Sequence, residues 1–141
     1  MPSNSGLAFV LVQHLDPKHS SMTAQLLGKH TLMPVEQVEH ATAVQANHVY
    51  VIPPNKDLLL VNGCLLLNAL PPRQGPHLPV DLFLRSLAQD QGEQAQAIIL
   101  SGTGSDGTLG VAAIKAGGGL VLVQTPETAQ FDGMPRSAIQ T

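Results

Sequence analysis

Apolar positions along the chain fall into short blocks separated by proline, glycine and polar clusters. Leu7–Val12 is an unbroken apolar run of strand length, the pattern of a strand covered on both faces in a parallel sheet. Gln13-His14-Leu15-Asp16-Pro17 ends it, since proline resists continuation. Ser20 or Ser21 is placed to cap a helix bearing Met22, Leu26 and Leu27 on one side, with Gly28 near its end. Pro34–Glu39 alternates in part and predicts a short strand. His48–Ile52 predicts another, stopped by Pro53 and Pro54.

Asp57–Val61 and Cys64–Asn68 are two apolar runs joined by Asn62-Gly63. Asn-Gly accepts positive φ at both central positions of a type I′ turn, so the segment predicts a β-hairpin. Cys64 at its mouth reads as a small strand residue. Pro71–Pro79 is a connector. Val80–Gln91 then sets Leu82, Phe83, Leu87 and Ala88 at helical spacing, with Gly92 as its stop. Gln96–Leu100 predicts a strand, Ser101–Gly107 a glycine-rich turn, Thr108–Ala116 a helix and Leu120–Val123 a further strand. That order is a βαβ unit, whose two strands run parallel. Pro126–Pro135 predicts a loop, and Arg136–Gln140 the start of a last helix. The fold class that follows is α/β, with a mostly parallel sheet and a β-hairpin insertion.

Composition narrows the function. Seven Lys+Arg against ten Asp+Glu give a net charge of −3, with no basic cluster to bind nucleic acid. No apolar run reaches the roughly 18 residues of a membrane span, and the first six residues lack the basic region of a signal peptide. A single cysteine fits a reducing compartment. These features predict a cytoplasmic globular domain.

The turn contains Gly102-x-Gly104-x-x-Gly107 between a strand and a helix, matching the dinucleotide fingerprint. Two features oppose that reading. Asp106 puts a carboxylate where a pyrophosphate would sit, and the next strand ends without an acidic residue for a ribose; Glu127 lies beyond it. Asp106 has two other readings, a cap on the helix that follows it or a catalytic carboxylate at the C-terminal edge of a parallel sheet. His14 follows the first strand as Asp106 follows a later one. If both strands share one sheet, the two residues leave it at the same edge, and a carboxylate on one imidazole nitrogen readies the other as a general base. No serine sits on a Gly-x-Ser-x-Gly elbow. His14, Asp16 and His19 are separated by Pro17 and lack metal-site spacing, so no metal is expected.

Gln13-His14, Leu100-Ser-Gly-Thr-Gly-Ser-Asp-Gly107 and Asp132-Gly-Met-Pro-Arg136 resemble the catalytic domain of CheB, the chemoreceptor protein-glutamate methylesterase of bacterial chemotaxis. Leu78-Pro-Val-Asp-Leu-Phe-Leu-Arg85 and Val49-Tyr-Val-Ile-Pro-Pro54 are similar to it too. The resemblance runs collinearly along essentially the whole chain. It is strongest to versions fused to a CheR methyltransferase, in which threonine at the position of Thr103 is common.

The resemblance implies a doubly wound, Rossmann-like three-layer domain with helices on both faces of the sheet. It implies a Ser-His-Asp triad with His14 as general base and Asp106 as its orienting carboxylate, and an active-site loop formed by Gly102, Thr103 and Gly104. The implied reaction is hydrolysis of glutamate γ-methyl esters on chemoreceptor cytoplasmic domains, with glutamine deamidation in some members and no cofactor. The implied partners are those receptors, with a receiver domain or a CheR methyltransferase in the parent protein. The family's serine sits in a Gly-rich turn after its first strand, and nothing in Met1–Gly6 matches it. Family members also continue past Ala138 and Ile139. Residues 1–141 are therefore expected to be part of a domain lacking its N-terminal strand-turn-helix and its nucleophile, inactive alone, with an uncovered apolar surface. Two alternatives stay open, a catalytically silent interaction or sensory module of the same fold and a dinucleotide-binding domain.

Overall fold

The computed structural model of the protein describes residues 2–13, 22–69 and 77–141. The chain divides into two compact units, Met1–Gln74 and Gly75–Thr141. The first contains β1 (Phe9–Leu11), α1 (Thr23–Gly28), β2 (Val35–Gln37), β3 (Thr42–Ala43), β4 (Val49–Val51), β5 (Lys56–Val61) and β6 (Cys64–Ala69). The second contains α2 (Pro79–Gln91), β7 (Gln96–Ile99), α3 (Thr108–Ala116), β8 (Leu120–Val123) and α4 (Gly133–Ile139), with 3₁₀ turns at Gly92–Gln94 and Pro126–Thr128.

In the first unit β1, β4 and β2 form a parallel sheet in the order β1-β4-β2, with Phe9 and Val35 both opposite Val49. The central strand carries the burial: Val49, Tyr50 and Val51 are all buried, whereas Phe9–Leu11 is half-buried and Leu7 is exposed. The apolar run at Leu7–Val12 is thus a flank of the sheet rather than the fully covered strand its composition suggests. Tyr50 keeps its polar end satisfied, its hydroxyl accepting from the Gln45 N–H at 2.9 Å.

The hairpin forms as predicted. β5 and β6 pair antiparallel up to Val61 opposite Cys64, and Asn62 and Gly63 take φ of 50° and 72°, the positive pair that a type I′ turn needs. Leu58, Leu60 and Leu65 are buried along it. β3 adds to this sheet through Thr42 opposite Leu65. Two residues carry no periodicity, so only the partner strand reveals them as a strand.

In the second unit the βαβ prediction holds, with β7 and β8 parallel from Gln96 opposite Leu120 to Ile99 opposite Val123. Ala97 and Ile99 face the interior, while Ile98, Leu120 and Leu122 are about half-exposed on the opposite face. α2 packs on α3, and its buried apolar side chains include Val80, Phe83 and Leu84, whereas Leu82, Leu87 and Ala88 are only half-buried. α4 starts at Gly133, three residues ahead of the predicted Arg136. Pro135 lies in its first turn, where the missing N–H removes no intrahelical bond.

Among the described residues β1 pairs with β4, and β7 pairs with β8. His14 itself lies outside the described residues, as do Asp16, Pro17, His19, Ser20, Ser21 and residues 70–76 of the connector.

Candidate functional site

The turn between β7 and α3 is built to bury one carboxylate and expose the residues before it. Thr103, Gly104 and Ser105 are exposed, whereas Asp106 is 5% accessible. Gly107 follows at φ 96°, a left-handed geometry that a side chain would strain, and a Cβ there would also press on Val80 at 3.0 Å. This glycine directs the chain from the turn into α3 and serves as its N-cap residue.

Asp106 does not cap the helix that follows it. Its Oδ2 accepts from the Val80 N–H at 3.0 Å and its Oδ1 from the Asp81 N–H at 2.9 Å. Those are free donors of the first turn of α2, so Asp106 caps a helix that starts 27 residues upstream of it (106 less 79). The favourable field of a helix N-terminus acts on the carboxylate, but the helix is a different one from that implied by sequence proximity.

Asp81, 7% accessible, sits in the same first turn. Its Oδ1 accepts from the Gly110 N–H of α3 at 2.8 Å. The first turn of α2 and the turn that leads into α3 therefore exchange caps, Asp106 closing the N-terminus of α2 and Asp81 accepting from the first turn of α3. The close approach of the two helices requires Gly110, where a Cβ would lie 2.4 Å from Leu84 Cβ. The Gly110 N–H is consequently not offered to a phosphate, which weakens the dinucleotide reading.

The front of the turn is clamped from β8 and the segment before α4. Gln124 Oε1 accepts from the Ser101 N–H at 2.7 Å, and its Nε2 donates to the Thr128 carbonyl at 3.1 Å. Ser101 Oγ accepts from the Phe131 N–H at 3.0 Å. The Gly102 N–H donates to the Phe131 carbonyl and the Gly102 carbonyl accepts from Met134 N–H, both at 2.9 Å. Gly133 lies so close that a Cβ would meet the Gly104 backbone at 2.9 Å. The Asp132-Gly-Met-Pro segment is thus the bracket that shapes the Gly102–Gly104 loop. Sequence reasoning reached Asp106 and the loop glycines but gave no role to Asp81 or Gln124. Asp81 carries a local signal, being an acid in the first turn behind Pro79, and Gln124 carries none.

Arg136 donates from Nε to Asp132 Oδ2 at 2.6 Å on the exposed side of this bracket. That hydrogen bond, aided by charge attraction, holds the Asp132 carboxyl below its ordinary 3.8. A lowered folded-state value means that the pair's stabilisation is full above 3.8 and is lost as the pH falls through the folded value. Both side chains are solvated, so the effect is small and salt-screened. Arg136→Gln is expected to lower the urea midpoint slightly at neutral pH, with the difference vanishing as the pH falls through the folded-state value and in roughly 1 M salt. A difference that persists in acid would mean that Arg136 acts by packing.

Against known families, the sequence matches the CheB methylesterase model over residues 1–141. The chain belongs to the CheB methylesterase family. The crystal structure of the Thermotoga maritima CheB methylesterase catalytic domain superposes with a TM-score of 0.87 at 31% identity, covering 99% of this chain and 76% of that one. The fold is therefore the mixed α/β, Rossmann-like fold of the CheB catalytic domain. A Leptospira interrogans protein named as a putative protein-glutamate methylesterase/protein-glutamine glutaminase is 30% identical over 141 residues, spanning 99% of this chain and 73% of that protein. An Anaeromyxobacter dehalogenans protein-glutamate methylesterase/protein-glutamine glutaminase is 35% identical over 149 residues, of which this chain spans 43%. A 104.1 kDa Rhodobacter capsulatus protein is 48% identical over 118 residues, and there the match spans only 12% of the length.

Proposed function

We propose that this CheB-family chain carries the general base and the orienting carboxylate of a protein-glutamate methylesterase acting on chemoreceptors in bacterial chemotaxis. The observation that carries the reading is Asp106, buried in the Ser-Gly-Thr-Gly-Ser-Asp-Gly turn with each oxygen fixed by one backbone N–H. A carboxylate can accept about four hydrogen bonds, and an imidazole N–H is one of the donors it suits. Rigid carboxylates of this kind hold one tautomer of a histidine and stabilise the imidazolium that forms during reaction.

In this reading a serine attacks the γ-carbonyl of a glutamyl methyl ester while His14 takes its proton. His14 returns that proton to the departing methoxide, releasing methanol and leaving an acyl-enzyme. Water, deprotonated by His14, then cleaves the acyl-enzyme to glutamate and restores the serine. With a glutamine side chain the leaving group is ammonia. The exposed Gly102–Gly104 loop borders the carbonyl. No step uses a metal or an organic cofactor.

The reading assigns no nucleophile among the described serines; Ser101, for instance, accepts the Phe131 N–H through its hydroxyl. The serine is assigned to a Gly-rich turn outside residues 1–141, and longer relatives leave room for a receiver or CheR-type methyltransferase domain. The proposed setting is cytoplasmic; among the described residues no helix is long and apolar enough to cross a membrane.

The test is hydrolysis of a methylated receptor fragment. The 141 residues alone are expected to release methanol no faster than their His14→Gln variant. A chain that also carries a Gly-rich serine turn upstream is expected to turn over and to lose about 10⁴–10⁶-fold on His14→Gln. Turnover by the extended chain that survives His14→Gln would overturn the assignment.

A further inference from the structure

Asp81 lies at the centre of a closed circuit between two helices. Its N–H donates to Asp106 Oδ1 at 2.9 Å, its own Oδ1 accepts from Gly110 N–H at 2.8 Å, and Gly110, in the first turn of α3, follows Asp106 by four residues in the chain. The Val80 N–H closes the second oxygen of Asp106 at 3.0 Å. All the groups involved are buried, Asp81 and Asp106 at 7% and 5% accessibility. In such surroundings an unpaired donor is costly, so each bond depends on the others remaining in place.

We propose that Asp81 is a positioning residue for the reaction: by holding the first turn of α3 against α2, it fixes the Asp106 carboxylate in the orientation that serves His14. This rests on the triad reading above. The circuit has a direct geometric consequence. If the Gly110 N–H is released, the first turn of α3 can move away from α2. Asp106, two residues before that helix begins, moves with it, and the α2 donors open. A cap of purely local importance would leave Asp106 where it is.

Amide hydrogen exchange on the full chain separates the two cases. The Gln124 N–H, bonded to the Ile99 carbonyl at 2.8 Å within the β7–β8 pair, serves as reference. Asp81→Ala is expected to speed exchange at Gly110 about tenfold, the usual scale of a lost cap, and to speed exchange at Val80 at least threefold relative to Gln124. Asp81→Asn keeps a carbonyl oxygen for Gly110 and is expected to restore both. If Asp81→Ala does not fold, Asp106→Asn tests the circuit from the other side, with the Gly110 amide expected to accelerate at least threefold. An unmoved Val80 amide in Asp81→Ala, or an unmoved Gly110 amide in Asp106→Asn, overturns the proposal.

The link to the reaction is read from the ring nitrogens of neutral His14 by ¹⁵N spectroscopy. A single tautomer is expected in the wild-type chain, a mixture in Asp81→Ala, and a single tautomer again in Asp81→Asn. A single tautomer that persists in Asp81→Ala overturns the positioning role. A mixture already present in the wild type overturns the His14–Asp106 reading instead, and the exchange rates still decide whether the circuit exists.

Discussion

Replacing Asp106 by alanine is expected to cost about 3 kcal/mol of folding stability, because it strands two buried donors at about 1–3 kcal/mol each. The Val80 and Asp81 N–H groups have no intrahelical acceptor, and Asp106 supplies one oxygen to each. Asp106→Asn keeps one acceptor but turns an amide NH₂ toward the second donor, and is expected to lose about half as much. Urea unfolding of the three chains checks the order. A loss below about 1 kcal/mol for alanine would mean that water reaches the first turn of α2, and with it that the carboxylate is not held as rigidly as catalysis needs. The stability effect needs no serine, so it can be measured on the 141 residues alone.

Gly110→Ala is expected to destabilise by about 2 kcal/mol, the opposite sign from the roughly 1 kcal/mol gain that helix propensity assigns to Gly→Ala. The new Cβ lies 2.4 Å from Leu84 Cβ. Neither atom is the end of a flexible side chain, so the helices must move apart. That movement also pulls the Gly110 N–H away from Asp81. The control is Leu84→Ala in the Gly110→Ala background. It retains the Leu84 Cβ, so it is expected to leave the clash in place and add its own packing loss. Recovery of the urea midpoint in the double variant would place the conflict in the outer part of the Leu84 side chain.

The two variants fall in regions of different legibility. The hairpin was readable because Asn62-Gly63 sits between two apolar runs, and a turn that needs two positive φ values admits few other pairs. The βαβ unit was readable because a short apolar run, a glycine-rich turn and a helical segment follow one another within one stretch of chain. The caps were not. Asp106 next to α3 invites the local reading of an N-cap, and the chain alone gives no sign that α2 comes close enough to take it. The burial of α2 through Leu84 rather than Leu87 has the same origin, since the covered side is set by where α3 lies. The short strand at Thr42–Ala43 exists because β6 is beside it.

Local chemistry was thus sufficient for element types, the turn residues and the loop that carries Asp106, because each depends on backbone preferences and apolar spacing within a few residues. The partners of the buried carboxylates, the need for glycine at position 110 and the clamping of the loop by Gln124 depended on the tertiary fold. They join groups 23 to 29 residues apart in pairs such as Ser101 with Gln124, Asp81 with Gly110 and Asp106 with Val80. No local preference selects such pairs; only helix–helix and strand–helix packing brings the donors and acceptors together, and burial then makes their pairing obligatory.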